Sequence, residues 1–173
     1  ADYLKLNPGA VVPTLIDGKA KITQSMAIME YLEEVYPEPS FLPGDAVDRA
    51  QIRALANIVA CDIHPLNNLR IRLYLVDEMD VSVENREGWM GHWVRKGFEA
   101  YEKLYAQGPT GKFSHGDQPS MADICLIPQM ANARRPDHNI DVADFPTLLK
   151  IEEACQALPA FEKALPANQP DAE

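Results

Sequence analysis

Three cysteines, Cys61, Cys125 and Cys155, are all the chain has. They are too few and too scattered for a disulfide framework and lack the C-x-x-C or Cys/His spacing of a zinc site. A reducing compartment suits them, and each is expected to be a small core residue on a helix. Histidine is sparse as well: His92, His115 and His138 share no motif, and no metal is expected. Positive charge is also short, with 16 Lys plus Arg against 26 Asp plus Glu and a net charge of -10. No Lys/Arg block offsets that balance, which excludes nucleic acid and anionic membrane as partners. No apolar run reaches membrane-spanning length, and the opening ADYLKLNPG lacks the basic and apolar regions of a signal peptide. A soluble, cytoplasmic protein is the expectation.

What is present is enough apolar material for a core, 46% of 173 residues. VVPTLID and KAKIT flank Asp17-Gly18 and predict a β-hairpin. Met26, Ile28, Met29 and Leu32 then predict an amphipathic helix over 25–36. Pro37, Pro39, Pro43 and Gly44 break the chain, so the predicted organisation is a small domain over 1–38, a linker over 39–44 and an all-helical domain over 45–173. In the latter, apolar residues from Ile52 to Val76 predict one long helix interrupted near Pro65, and a second runs over 83–105 with Met90, Trp93, Val94, Phe98, Tyr101 and Leu104 inward. SMAD carries a capping box, Ser120 with Asp123, ahead of a helix apolar nearly all round, which predicts the central helix of a bundle. Two shorter helices, over 147–157 and 159–165, complete it. The fold class is α+β.

Three groups of residues bear on chemistry. Val12-Pro13 sits in a strand pattern, where proline belongs at an edge or beside a ligand. Alone, an edge proline without a ligand is the simpler reading; with a ligand, an extended peptide would pair with Val12. Gln24-Ser25 stands where a strand passes into a helix, a place suited to a carboxylate, although Ser25 as a plain N-cap explains it equally. In CDIHPLNNLRI, His64, Asn67, Asn68 and Ile71 are predicted to share a helical face with Arg70 on its flank, a costly polar cluster. Taken singly, each of these has a bland local explanation.

The order strand, Val-Pro, hairpin, strand, Gln-Ser, helix resembles the second half of the thioredoxin-like domain of the glutathione transferases. FLP, PLNNL, SMADICLIPQMANARR and FPTLLKIEEACQALPAF together resemble, along almost the entire chain, the zeta class, the maleylacetoacetate and maleylpyruvate isomerases. The resemblance implies a partial thioredoxin-like domain, hairpin plus helix, followed by the all-α transferase domain. It implies glutathione as cofactor, a thiol that adds to a cis double bond and leaves after rotation, and a homodimer. Carried over, Val12 and Pro13 hold the cysteinyl backbone, Gln24 and Ser25 the γ-glutamyl end, and Asn67 and Asn68 face the ligand. His64, Arg70 and Arg134 or Arg135 are the cations for a dicarboxylate substrate, arginine being suited by its planar fork. A cationic helix C-terminus is the alternative account of the Arg134-Arg135 pair.

This chain departs from the family pattern at ARRPDHNID, where Pro136 must end the helix early. The resemblance also implies a strand, helix and strand upstream of Ala1 that carry the Ser/Cys which activates glutathione. No catalytic residue is therefore expected within these 173 residues, which by themselves are expected to bind glutathione weakly and not to isomerise. A non-catalytic binding module and a zeta-type transferase acting on α-haloacids are the competing readings.

Overall fold

A computed structural model describes residues 2–170 and Ala172. Ala1 lies outside the described residues. The chain divides into two units, residues 1–42 and 43–173.

The first unit holds α1 (Tyr3–Leu6), β1 (Thr14–Asp17), β2 (Ala20–Thr23) and α2 (Ser25–Val35). β1 and β2 form the predicted hairpin, antiparallel with Thr14 opposite Thr23 and Asp17 opposite Ala20. Gly18 supplies the left-handed residue of its turn, at φ 55°. The strand is shorter than VVPTLID suggested, and α1 was not predicted. Asp17 locks the hairpin to the far end of α2, because Tyr31 and Tyr36 both donate their hydroxyls to its Oδ2, at 2.9 and 3.0 Å. Buried Glu33 accepts from Ser40 Oγ at 2.8 Å and from the Phe41 and Leu42 amides at 2.6 and 3.3 Å. Half of the predicted linker is therefore bonded down onto α2, because the proline-rich stretch offers free amides that a buried carboxylate needs.

The second unit is all-helical: α3 (Ala46–Asn57), α4 (His64–Asn67), α5 (Leu69–Asp77), α6 (Val83–Tyr105), α7 (Met121–Ala133), α8 (Pro146–Gln156) and α9 (Pro159–Ala164). The predicted long helix over 52–76 is in fact three helices. α3 loosens into a π-helical stretch, Ile58–Ile63, that ends against Pro65, and the chain breaks again at Asn68, where ψ is 162°. Pro65 lacks the amide an α-helix would need, and the wider turns before it absorb the mismatch. α6 has the predicted bounds, but its inner face is Met90, Gly91, Val94, Gly97, Phe98 and Tyr101. Leu104 is exposed, and the two glycines take the places where neighbours come closest. A Cβ on Gly97 would strike Ile63, and one on Gly91 would strike the His138 carbonyl oxygen.

α7 is central as predicted, with Met121, Leu126, Met130 and Ala133 inaccessible to solvent. Its capping box is made: Asp123 accepts from the Ser120 amide at 2.8 Å and Ser120 Oγ at 3.0 Å, and with its other oxygen from the Ser114 amide at 2.8 Å. Glu102 of α6 caps α8 by accepting from the Thr147 amide at 2.8 Å. Of the cysteines, Cys155 is buried and Cys125 half-buried, but Cys61 is exposed on the π-helical stretch, contrary to the core position expected. Burial pushes the Cys125 thiol up to about 12 and Cys155 further in the same direction, so both stay protonated.

Candidate functional site

In the first unit the hairpin register sets the geometry. Thr14 pairs with Thr23, so Val12-Pro13 and Gln24-Ser25 emerge together from the open end of the hairpin. The Val12-Pro13 bond is cis. Val12 is 82% exposed, and its backbone has no hydrogen-bond partner among the described residues. The turn before it is held elsewhere: Tyr3 Oη donates to the Val11 carbonyl at 2.7 Å, and the Asn7 amide donates to the same oxygen. Asn7 also accepts from the Gly9 amide at 2.9 Å. These two supports were missed from sequence, although Asn7-Pro8-Gly9 is a legible Asx-turn signal.

Gln24 precedes α2 with φ 73° and ψ 121°, a left-handed conformation that a non-glycine residue adopts at a cost of about 1–3 kcal/mol. It is not an ordinary cap, since its side chain makes no capping bond. Gln24 and Ser25 are both exposed. An unpaired backbone at Val12, a free amide and hydroxyl, and a helix N-terminus thus face solvent at one end of the hairpin. That donor set suits a short peptide with a carboxylate, whose backbone can pair with Val12 while the carboxylate meets the helix start. Glutathione fits these residues.

In the second unit the predicted single face of His64, Asn67, Asn68 and Ile71 does not exist, because the helix breaks between Asn67 and Leu69. Asn68 is the N-cap of α5: its Oδ1 accepts from the Ile71 amide at 3.2 Å and its Nδ2 donates to the Pro65 carbonyl at 3.1 Å. Asn67 is only 3% exposed, and neither end of its amide is bonded among the described residues. Trp89 of α6 donates its indole N–H to the Leu66 carbonyl at 2.9 Å and so holds this break in place. His64 and Arg70 are exposed, and Arg70 has no ion-pair partner among the described residues. Packing along the His64 ring lowers its pKa through desolvation. Because the residue is exposed as a whole, that shift carries no stability claim.

The two arginines of ANARR are not equivalent. Arg134 caps α7 and gives both ends of its fork to Glu152 of α8, one bond at 2.7 Å. Arg135 is half exposed, and its Nε donates to Asp137 Oδ1 at 3.4 Å. Pro136 ends α7 early, as predicted, and opens a 3₁₀ turn, Pro136–His138. There Asp137 gives its other oxygen, Oδ2, to Arg72 Nη2 from α5. Burial acts to raise the Asp137 pKa, but Arg72, His138 and Arg135 together outweigh it and hold the carboxyl below its usual range. His138 is fully inaccessible, and neither ring nitrogen makes a bond of good geometry. Desolvation lowers its pKa, and the pull of Asp137 and of the Asn132 carbonyl only partly opposes this, so the ring is neutral at pH 7. The Arg72–Asp137 link joins residues 65 apart in sequence and had no local signal.

Comparison with known proteins identifies the family. Family models match at residues 1–34, "Glutathione S-transferase, N-terminal domain", and at 85–166, "Glutathione S-transferase, C-terminal domain". A probable maleylacetoacetate isomerase of Vibrio cholerae is 44% identical over 172 residues, 99% of this chain and 79% of that protein. The holo structure of a maleylpyruvate isomerase, a bacterial zeta-class transferase, is 44% identical and superposes with a TM-score of 0.94 over 99% of this chain and 81% of that one. The structure of a maleylacetoacetate isomerase from Methylobacterium extorquens AM1 with bound malonate and glutathione is 36% identical, with a TM-score of 0.89 over 99% of this chain and 80% of that one. The residues from the Val-Pro turn to the last helix therefore place the chain in the zeta class of the glutathione S-transferases, and it belongs to the family of the maleylacetoacetate and maleylpyruvate isomerases.

Proposed function

We propose that this protein catalyses the glutathione-dependent cis–trans isomerisation of a maleyl keto acid. The observation that carries this reading is the 44% identity to a probable maleylacetoacetate isomerase sustained over 99% of the chain. Glutathione, when bound, supplies the thiol nucleophile of a reversible addition and elimination across the alkene. Val12 would pair with the extended cysteinyl backbone, and Pro13, having no N–H, ends that pairing. Gln24 and Ser25, with the start of α2, would take the γ-glutamyl carboxylate.

Arg135 and Arg70 are the cations left for a dicarboxylate, because the Arg134 fork is filled by Glu152. A half-exposed guanidinium retains donors for a second carboxylate and can bind it in two parallel bonds. Asn67 and His64 border the break between α4 and α5 and would meet the uncharged middle of the substrate. A homodimer and a cytoplasmic location complete the proposal, supported by the family relationship and by the absence, among the described residues, of any helix long and apolar enough to cross a membrane.

The test is conversion of maleylpyruvate or maleylacetoacetate to the trans isomer, followed by ultraviolet absorbance, with protein expressed from its natural gene. Turnover that requires added glutathione is expected. Failure to convert either compound at saturating glutathione would overturn the reading.

A further inference from the structure

We infer that Asp137 is a positioning residue that presents Arg135 as an oriented fork to the substrate carboxylate, with Arg72 holding Asp137 in turn. The inference rests on the isomerase reading and goes beyond it to residues in the segment where this chain departs from the family pattern. Asp137 divides its two oxygens between two guanidiniums: Oδ1 accepts from Arg135 Nε at 3.4 Å and Oδ2 from Arg72 Nη2. An arginine engaged through Nε keeps its two terminal nitrogens free, and those form the end-on edge that receives a carboxylate in two parallel bonds. Arg135 is half exposed and would otherwise sample many rotamers, whereas the Asp137 side chain is only 19% exposed and is tied to α5.

The turn that carries the pair is seated as well. Gly91 of α6 lies directly under the His138 carbonyl oxygen, so the Pro136–His138 turn packs on a helix with no side chain between them. With Asp137 ionised, Arg72, Arg135 and Asp137 sum to a single positive charge, which matches one carboxylate of the substrate. Arg70 is the cation proposed for the other.

The sign of one substitution decides the matter. If Asp137 were only a negative charge near an anion site, Asp137→Asn would tighten anion binding. If it positions Arg135, the same change loosens binding. Malonate is the probe, titrated calorimetrically into protein expressed from its natural gene and saturated with glutathione. Asp137→Asn is expected to weaken malonate about 2- to 10-fold, the cost of immobilising one rotamer-rich side chain on binding. KM for the maleyl keto acid should rise by the same factor, with kcat within about twofold of the wild type. Arg72→Met should give the same loss, and the double variant no more than either single one, since both act through one bond.

Unchanged or tighter malonate binding by Asp137→Asn, or single effects that multiply, would overturn the proposal. A second variant does not depend on how the turn tolerates Asn: Arg135→Lys keeps the charge and removes the fork, and wild-type affinity in that variant also overturns it. A wild-type protein that isomerises but does not bind malonate refutes the positioning role alone. One that does neither refutes the reading on which it rests.

Discussion

Gln24 and His138 each hold a local state that their residue type does not prefer. Gln24 holds a strained backbone while its side chain does nothing for the fold. Gln24→Ala is therefore expected to leave the melting temperature within about 2 °C, because an exposed, unbonded amide contributes little to stability. The same change should weaken glutathione about 10- to 150-fold by calorimetry, the loss of a hydrogen bond to a charged group. Equal glutathione affinity in the variant would remove Gln24 from the site.

His138 is the opposite case, buried and neutral. Its folded pKa lies below the unfolded value of about 6.5. The unfolded chain therefore binds the extra proton first, and the stability that His138 allows is present above that value and declines as pH falls through it. Thermal unfolding between pH 8 and 5 should show a steeper loss for the wild type than for His138→Gln, by at most about 1.4 kcal/mol per pH unit. Parallel profiles would show that the ring does not titrate in this way.

Between elements, the decisive contacts are made by glycine and by buried carboxylates. Gly91→Ala puts a methyl group against the His138 carbonyl, a backbone atom that cannot rotate aside. The Pro136–His138 turn must move, carrying Arg135 and Asp137 with it. Expected are a loss of about 1–3 kcal/mol on overpacking, read by denaturant unfolding, and a raised KM for the keto acid. Asp123→Ala is the more severe change, since it strips the α7 cap and leaves the Ser114 amide unbonded inside the unit. It should cost about 3 kcal/mol or more. A variant as stable as the wild type would show that the box is replaced by other bonds.

At this scale the sequence was legible where the signal was local. Ser120 with Asp123 and the bounds of α6 were readable from spacing alone. The interruption near Pro65 was readable too, but the π-helical stretch before it and the second break at Asn68 were not, because apolar periodicity continues through them and only tertiary contacts, such as Trp89 on the Leu66 carbonyl, decide where the ladder gives way. The polar group at His64 to Arg70 was visible as composition. Its separation into a buried Asn67, a capping Asn68 and an exposed Arg70 was not.

Across these 173 residues the net charge of -10 sets the long-range field, while the arginines set the short-range one. A dianionic substrate is repelled at a distance and attracted at contact. Salt screens the distant part first, with a Debye length near 30 Å at 0.01 M and about 8 Å at 0.15 M. kcat/KM should therefore rise as ionic strength goes from about 0.01 to 0.15 M and fall again near 1 M, where contact pairs weaken. A steady decline from the lowest salt would mean that the local arginines dominate the field at every distance.

By itself the sequence determined the α+β order of elements, the helical second unit, the Val-Pro and Gln-Ser positions and the family, because these rest on periodicity, caps and strings of neighbouring residues. The tertiary structure alone decided that Arg134 is spent on Glu152 while Asp137 bridges Arg72 and Arg135, that Asn67 is buried with its amide unbonded among the described residues, and that His138 is buried beside Asp137. Those outcomes depend on groups that the packing of separate helices brings within bonding distance, and no spacing along the chain encodes a distance in space.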